Sequence, residues 1–146
     1  MASIHEIQKQ IIEDFAMFDD WADKYEYIIE LGKTLPPMDE RYKTDENRIH
    51  GCQSRVWLHA SKENGLLKFE ADSDAFITKG IVGLLIKVLS GHTPKEILES
   101  DLYFLKEIGL QEHLSPTRAN GLLSMVKQMK AYALAFSNEP INQSLN

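Results

Sequence analysis

The sequence predicts an α+β domain: an N-terminal helix pair, a small antiparallel sheet around a β-hairpin, and C-terminal helices packed on it. Three observations predict it. Residues 3–33 repeat apolar side chains at helical spacing behind polar caps, two alternating runs flank Asn64-Gly65, and from residue 74 onward the pattern is helical, punctuated by Thr-Pro and Ser-Pro starts and glycine stops.

The first helix is read from "SIHEIQKQIIEDFAMF", where Ser3 and Glu6 stand in capping-box spacing and Ile4, Ile7, Ile11, Phe15 and Phe18 form one stripe. The second, "DDWADKYEYIIELGK", takes Asp19 or Asp20 as cap, turns Trp21, Tyr25, Ile28 and Ile29 inward, and stops near Gly32. Residues 34–54 then combine proline, charge and polar groups without a usable period, so a long loop is expected, with the cysteine near its end. Asn64-Gly65 is the signature of a two-residue type I′ turn, which sets Glu63 opposite Leu66, Ala60 opposite Phe69 and Leu58 opposite Ala71 on an apolar face. His59, Ser61 and Trp57 fall opposite Glu70, Lys68 and Asp72 on the other face.

After the hairpin, residues 73–91 are apolar nearly all round and predict a buried central helix capped by Ser73 or Asp74, with Gly80 and Gly83 as packing notches. Thr93, Pro94 and Glu96 start the next helix, and Asp101 opens another short turn ending near Gly109. Ser115-Pro116 begins the last, whose buried face carries Leu122, Met125, Met129, Tyr132 and Phe136. One domain is expected over residues 1–146, with a loose tail from about 138.

Composition excludes several functions. Acidic residues outnumber basic ones, 22 to 16, and the basic ones are scattered, so the electrostatic footprint of a nucleic-acid binder is missing. No run approaches the roughly 18 apolar residues of a membrane span, and the start lacks a basic segment followed by an apolar signal core. A soluble, cytoplasmic protein is expected. The single cysteine rules out an intramolecular disulfide, a C-x-x-C redox pair and a multi-cysteine zinc site. The histidines are dispersed, none at ligand spacing with another or with Cys52, so no metal or other cofactor is expected.

Cys52 is the residue with chemistry to offer, since a thiolate's availability follows exposure and nearby positive charge. The hairpin register sets Val56 opposite Ser73, which brings the loop end to the start of the central helix. Four residues, at most about 13 Å extended, separate Cys52 from that point. A helix N-terminus there favours a thiolate, and Asp72 and Asp74 disfavour it. The residues alone leave that balance open, and leave equally open a Cys52 that is a small buried hydrophobe. His50 is placed to tune the thiol or to be an ordinary loop residue, and Arg118, in the first turn of the last helix, reads by default as a surface or salt-bridging side chain.

Three stretches, "NRIHGCQSRVW", "FEADSDAFITKGIVGLL" and "LQEHLSPTRANGLLSM", resemble in order and spacing the SufE family of sulfur acceptor proteins, which includes CsdE-like members. The likeness runs from the N-terminal helix pair to about Phe136. It implies a sulfur-transfer partner protein, not a stand-alone enzyme, that activates a SufS-like or CsdA-like cysteine desulfurase, carries its sulfane sulfur as a persulfide on Cys52, and passes it to an iron-sulfur scaffold. It implies a fold similar to that of the scaffold IscU, although this chain lacks the several cysteines a cluster needs. By the same resemblance Gly51, Gln53 and Ser54 shape the loop, Asp72, Ser73 and Asp74 match the helix-start motif, and Arg118 and Asn120 match the third stretch. Arg118 becomes the best candidate to meet the thiolate or the partner. His50 departs from the pattern, standing where relatives tend to be apolar or proline. A resting thiol partly sheltered by Val56 and Leu58 is expected. Two other readings compete: a redox-responsive single-thiol protein, and a non-catalytic interaction module with an inert Cys52.

Overall fold

The computed structural model describes residues 2–138, so the tail expected from about 138 lies, from residue 139 on, outside the described residues. Within them the chain is α+β, with six α-helices and a two-stranded antiparallel sheet: α1 (Ile4–Ala16), α2 (Trp21–Lys33), β1 (Val56–Glu63), β2 (Leu66–Ser73), α3 (Phe76–Leu89), α4 (Pro94–Glu99), α5 (Phe104–Glu107) and α6 (Pro116–Ser137).

Local chemistry explains most boundaries. Ser3 and Glu6 form a reciprocal capping box at the start of α1, and Thr93 and Glu96 repeat it at α4. Asp20, not Asp19, caps α2 through the Asp23 N–H. The buried face of α1 includes Gln8 with Ile4, Ile11 and Phe15, whereas Ile7 and Phe18 are only half-buried. Gln8 is tolerated there because its amide donates to the Asp101 carbonyl at 3.1 Å and accepts the Phe104 N–H at 3.1 Å, which ties α1 to the start of α5.

The hairpin has the expected register from Val56 opposite Ser73 to Glu63 opposite Leu66, and its turn uses φ of 54° at Asn64 and 80° at Gly65. Its inner face (Val56, Leu58, Ala60, Leu67, Phe69 and Ala71) is buried. α3 packs on β2 and on α2, and its leucines at 84, 85 and 89 are fully buried, each stabilising the fold by roughly 1.5–3 kcal/mol. α2 and α3 cross at two glycines. A Cβ on Gly80 would stand 2.2 Å from the Ile28 carbonyl oxygen, and one on Gly32 would stand 2.7 Å from the Gly80 nitrogen. Gly32 is thus a contact residue, and α2 stops beside it, at Lys33, as expected. Gly83, the other expected notch, would meet only the Leu35 side chain and the Leu31 carbonyl at ordinary distances.

α3 departs from expectation at its cap. Ala75 is the N-cap and no side chain caps the helix, because Ser73 and Asp74 turn back toward Arg55. The loop of residues 34–55 is also more ordered than its composition predicts, with single 3₁₀ turns at Glu40–Tyr42 and Asp45–Asn47. It lies across the polar face of the hairpin. The Tyr42 ring stacks on His59 at 3.7 Å, Lys43 pairs with Asp72 at 2.8 Å, and Met38 is buried.

Candidate functional site

The long loop closes on itself just before the sheet. Ile49, buried, donates its N–H to the Val56 carbonyl at 2.8 Å, and Arg48 bridges to Trp57. On the other side Arg55 donates its backbone N–H and its Nε–H to the two Asp74 oxygens, each at 3.0 Å, while its carbonyl accepts from the Ser73 hydroxyl at 2.8 Å. Residues 50–54 project between these two anchors. The excursion is short, and Cys52 stands at its middle.

Gly51 makes the bend, with φ of 91°, a left-handed conformation that a side chain disfavours. The bend lays the loop on α6. The Cys52 thiol lies 3.8 Å from the Gly121 carbonyl oxygen, to which it donates a weak hydrogen bond. Around the sulfur is a cavity of about 40 Å³, walled by Thr78 and Ile81 of α3, by Thr117, Arg118, Gly121 and Met125 of α6, and by Gln53 and Ser54 of the loop itself. The loop also borders a second, more open depression, lined by Asp45, Arg48, Ile49, His50, Gly51 and Cys52. The cysteine is thus reached from a sheltered side and an open one, and is itself half-buried.

Burial pushes the Cys52 thiol up from the ordinary thiol range. The expected charge environment is different from the one found. Asp72 lines no part of the thiol cavity. Its carboxylate is held between Lys43 at 2.8 Å and Lys79 at 3.3 Å. Burial raises its pKa, but the bonds from Lys43, the Ser73 N–H and Lys79 outweigh this and the net shift is downward. Asp74 is lowered chiefly by its bond from Arg55. Both carboxylates are satisfied by closer cations and brace the loop's exit rather than face the sulfur. Asn120 is exposed and off the cavity, and His50 is exposed on the open side. Arg118 is exposed at the cavity wall, and among the described residues no carboxylate pairs with its guanidinium.

The shelter also has different walls from those expected. Val56 and Leu58 point into the core, each fully buried, and the thiol is covered by α3 and α6. Sequence reasoning passed over Thr78, Ile81, Thr117, Gly121, Ser124 and Met125, because their proximity to the cysteine loop depends on how α3 and α6 pack against it. One local signal existed: a glycine inside an otherwise strong helix calls for a packing reason. Among the described residues no three His, Cys, Asp or Glu side chains are grouped to hold a metal ion, and no helix is long and apolar enough to cross a membrane.

Comparison with known proteins agrees with this arrangement of chain. Residues 9–133 match the family described as SufE: Fe-S metabolism associated domain. An uncharacterized SufE-like protein of Rhizobium meliloti (strain 1021) is 50% identical over 129 residues, covering 85% of this chain and 92% of its own. "SufE-like protein 1, chloroplastic/mitochondrial" of Arabidopsis thaliana is 43% identical over 127 residues, covering 86% of this chain and only 34% of that longer protein. The solution structure of a hypothetical protein from Thermus thermophilus superposes with a TM-score of 0.76 at 25% identity, over 91% of this chain and 97% of that one.

Proposed function

The chain belongs to the SufE family, whose domain is associated with Fe-S metabolism, and on that premise we propose that it is the sulfur acceptor and activator of a cysteine desulfurase. Cys52 takes sulfane sulfur from the enzyme's persulfide and delivers it to an iron-sulfur scaffold. The reading spans one domain, a cytoplasmic setting and a fold akin to that of the IscU-type scaffold. The observation that supports it most is the position of the chain's one cysteine: half-buried at the tip of a loop anchored on both sides, beside a small cavity that Arg118 also lines.

The exchange balances without an added oxidant. The Cys52 thiol loses its proton, and the thiolate attacks the terminal sulfur of the donor persulfide. The donor S–S bond breaks as the new one forms, and the donor cysteine leaves as a thiolate that takes up the proton. Cys52 ends as a persulfide. In this reading Arg118, a residue of the cavity wall, stabilises the anionic sulfur on either side of the step. Gln53 and Ser54 line the cavity beside the sulfur and shape the loop that presents it. A second cysteine nearby would attack the persulfide, close a disulfide and release sulfide, and this chain has none.

The elevated pKa of a half-buried thiol makes Cys52 slow to react on its own, which does not favour a peroxide-sensing role. The test is the alanine output of a SufS-like or CsdA-like desulfurase supplied with L-cysteine and pyridoxal phosphate. Addition of the protein raises turnover, and the Cys52→Ser variant does not. Equal stimulation by both proteins would leave only the interaction-module reading.

A further inference from the structure

α6 carries a glycine at position 121, inside the helix, where alanine would be the better helix former. The space left by its missing side chain is filled by one group. A Cβ built at position 121 would lie 3.1 Å from the Cys52 sulfur and 3.7 Å from both the Cα and the Cβ of that residue. Ordinary carbon contacts lie at roughly 3.5–4.0 Å, and sulfur is larger than carbon. One turn along the same face stands Ser124. A Cβ on Gly51 would meet its hydroxyl oxygen at 2.6 Å, so the loop backbone also descends directly onto the helix there.

From these two contacts the geometry points to Gly121 and Ser124 as a positioning seat for the cysteine loop, in which the size of the side chain at 121 sets how deeply the Cys52 sulfur is withdrawn from solvent. The purpose of the seat rests on the sulfur-acceptor reading, but the seat itself is testable without any partner. A methyl group at 121 has to be accommodated by one of two movements. α6 is fixed by Leu122, Met125 and Met129, all buried, so lifting it would expose core. The sulfur sits on the short projection of residues 50–54 between the anchors at Ile49 and Arg55, so the loop yields first. Gly83 supplies the contrast: a Cβ there meets only ordinary contacts at 3.6 Å or more and carries no such consequence.

The experiment follows the alkylation rate of the thiol by iodoacetamide as a function of pH in the full chain, with thermal melts alongside to show that each variant is folded. Gly121→Ala and Gly121→Val fill the seat under the sulfur, and Ser124→Val adds bulk independently under Gly51. As the thiol is expelled, its inflection is expected to fall toward that of free cysteine. The rate at neutral pH is expected to rise several-fold, with valine at 121 acting at least as strongly as alanine. A rate and inflection at wild-type values in the folded Gly121→Val variant would overturn the seat. Persulfide loading of the wild-type protein by a desulfurase is measured in parallel. Failure of loading would contradict the sulfur-acceptor reading alone, and normal loading with unchanged alkylation in the variants would overturn the seat alone.

Discussion

A half-buried thiol is a poor nucleophile until it is uncovered, and the pH behaviour of Cys52 follows from that. Its folded-state pKa is raised by burial, so between the ordinary thiol pKa and the folded value the folded protein holds a proton that the unfolded chain has lost. The stability that depends on a neutral Cys52 is therefore intact below the ordinary value of about 8.5 and is lost as pH rises above it. Urea unfolding of wild type and Cys52→Ala, compared from neutral to alkaline pH, should show the wild-type advantage shrinking above that point; a constant difference would contradict it. Arg118 makes the second prediction at this scale. Arg118 borders the cavity without a carboxylate partner among the described residues, so Arg118→Ala should slow persulfide loading about ten-fold with little change in thermal stability, and lysine should restore part of the loss. A loading rate unchanged in the alanine variant would remove Arg118 from the site. Neither role was readable from the residues alone, because a single arginine in the first turn of a helix has no local signature that separates a thiolate partner from a surface charge.

Elements carry the packing consequences. Gly80 sits where α3 meets α2, and a Cβ there collides with backbone, the Ile28 carbonyl, which has no rotamer by which to yield. Gly80→Ala should cost about 3 kcal/mol in denaturant unfolding, whereas Gly83→Ala should be close to neutral. Similar losses at the two positions would contradict the crossing described. The loop that carries Cys52 depends on Asp72, which joins Lys43 of the loop to Lys79 of α3. Asp72→Asn should cost about 1 kcal/mol and make the segment of residues 34–49 more susceptible to limited proteolysis. Because the Asp72 pKa is lowered on balance, its contribution is present above the ordinary carboxylate pKa and fades as pH falls through that value and below, so the variant should lose stability less steeply toward acid. The hairpin was legible down to its register, since Asn64-Gly65 admits one turn type and the alternation on each side admits one pairing. The cap of α3 was not: Ser73 and Asp74 look like caps until Arg55, distant in sequence, competes for both side chains. The order within the long loop was hidden for the same reason, since its anchors at His59, Asp72 and Val56 all lie on the hairpin that follows.

At the scale of the whole molecule, the fold follows from patterns that are local in sequence, and the site follows from contacts that are not. Caps, stripes and turn residues predict which segments are helix and strand. They carry no information on which helix roofs the cysteine, and Cys52 meets Gly121 across 69 positions of chain. The three family-like stretches named all three parties, loop, helix start and last helix; the hairpin register set Asp72 and Asp74 near the thiol, whereas the fold gives them to lysines and an arginine. What the assembled molecule offers is a thiol kept half-covered at a joint between loop, α3 and α6, with an open side through which another protein can approach. The most direct measurement of its role is the intact mass of the protein after incubation with a SufS-like or CsdA-like cysteine desulfurase, pyridoxal phosphate and L-cysteine. The account predicts a gain of one sulfur atom that is removed by a reductant and absent in Cys52→Ser; an unchanged mass beside a demonstrably active partner would contradict it.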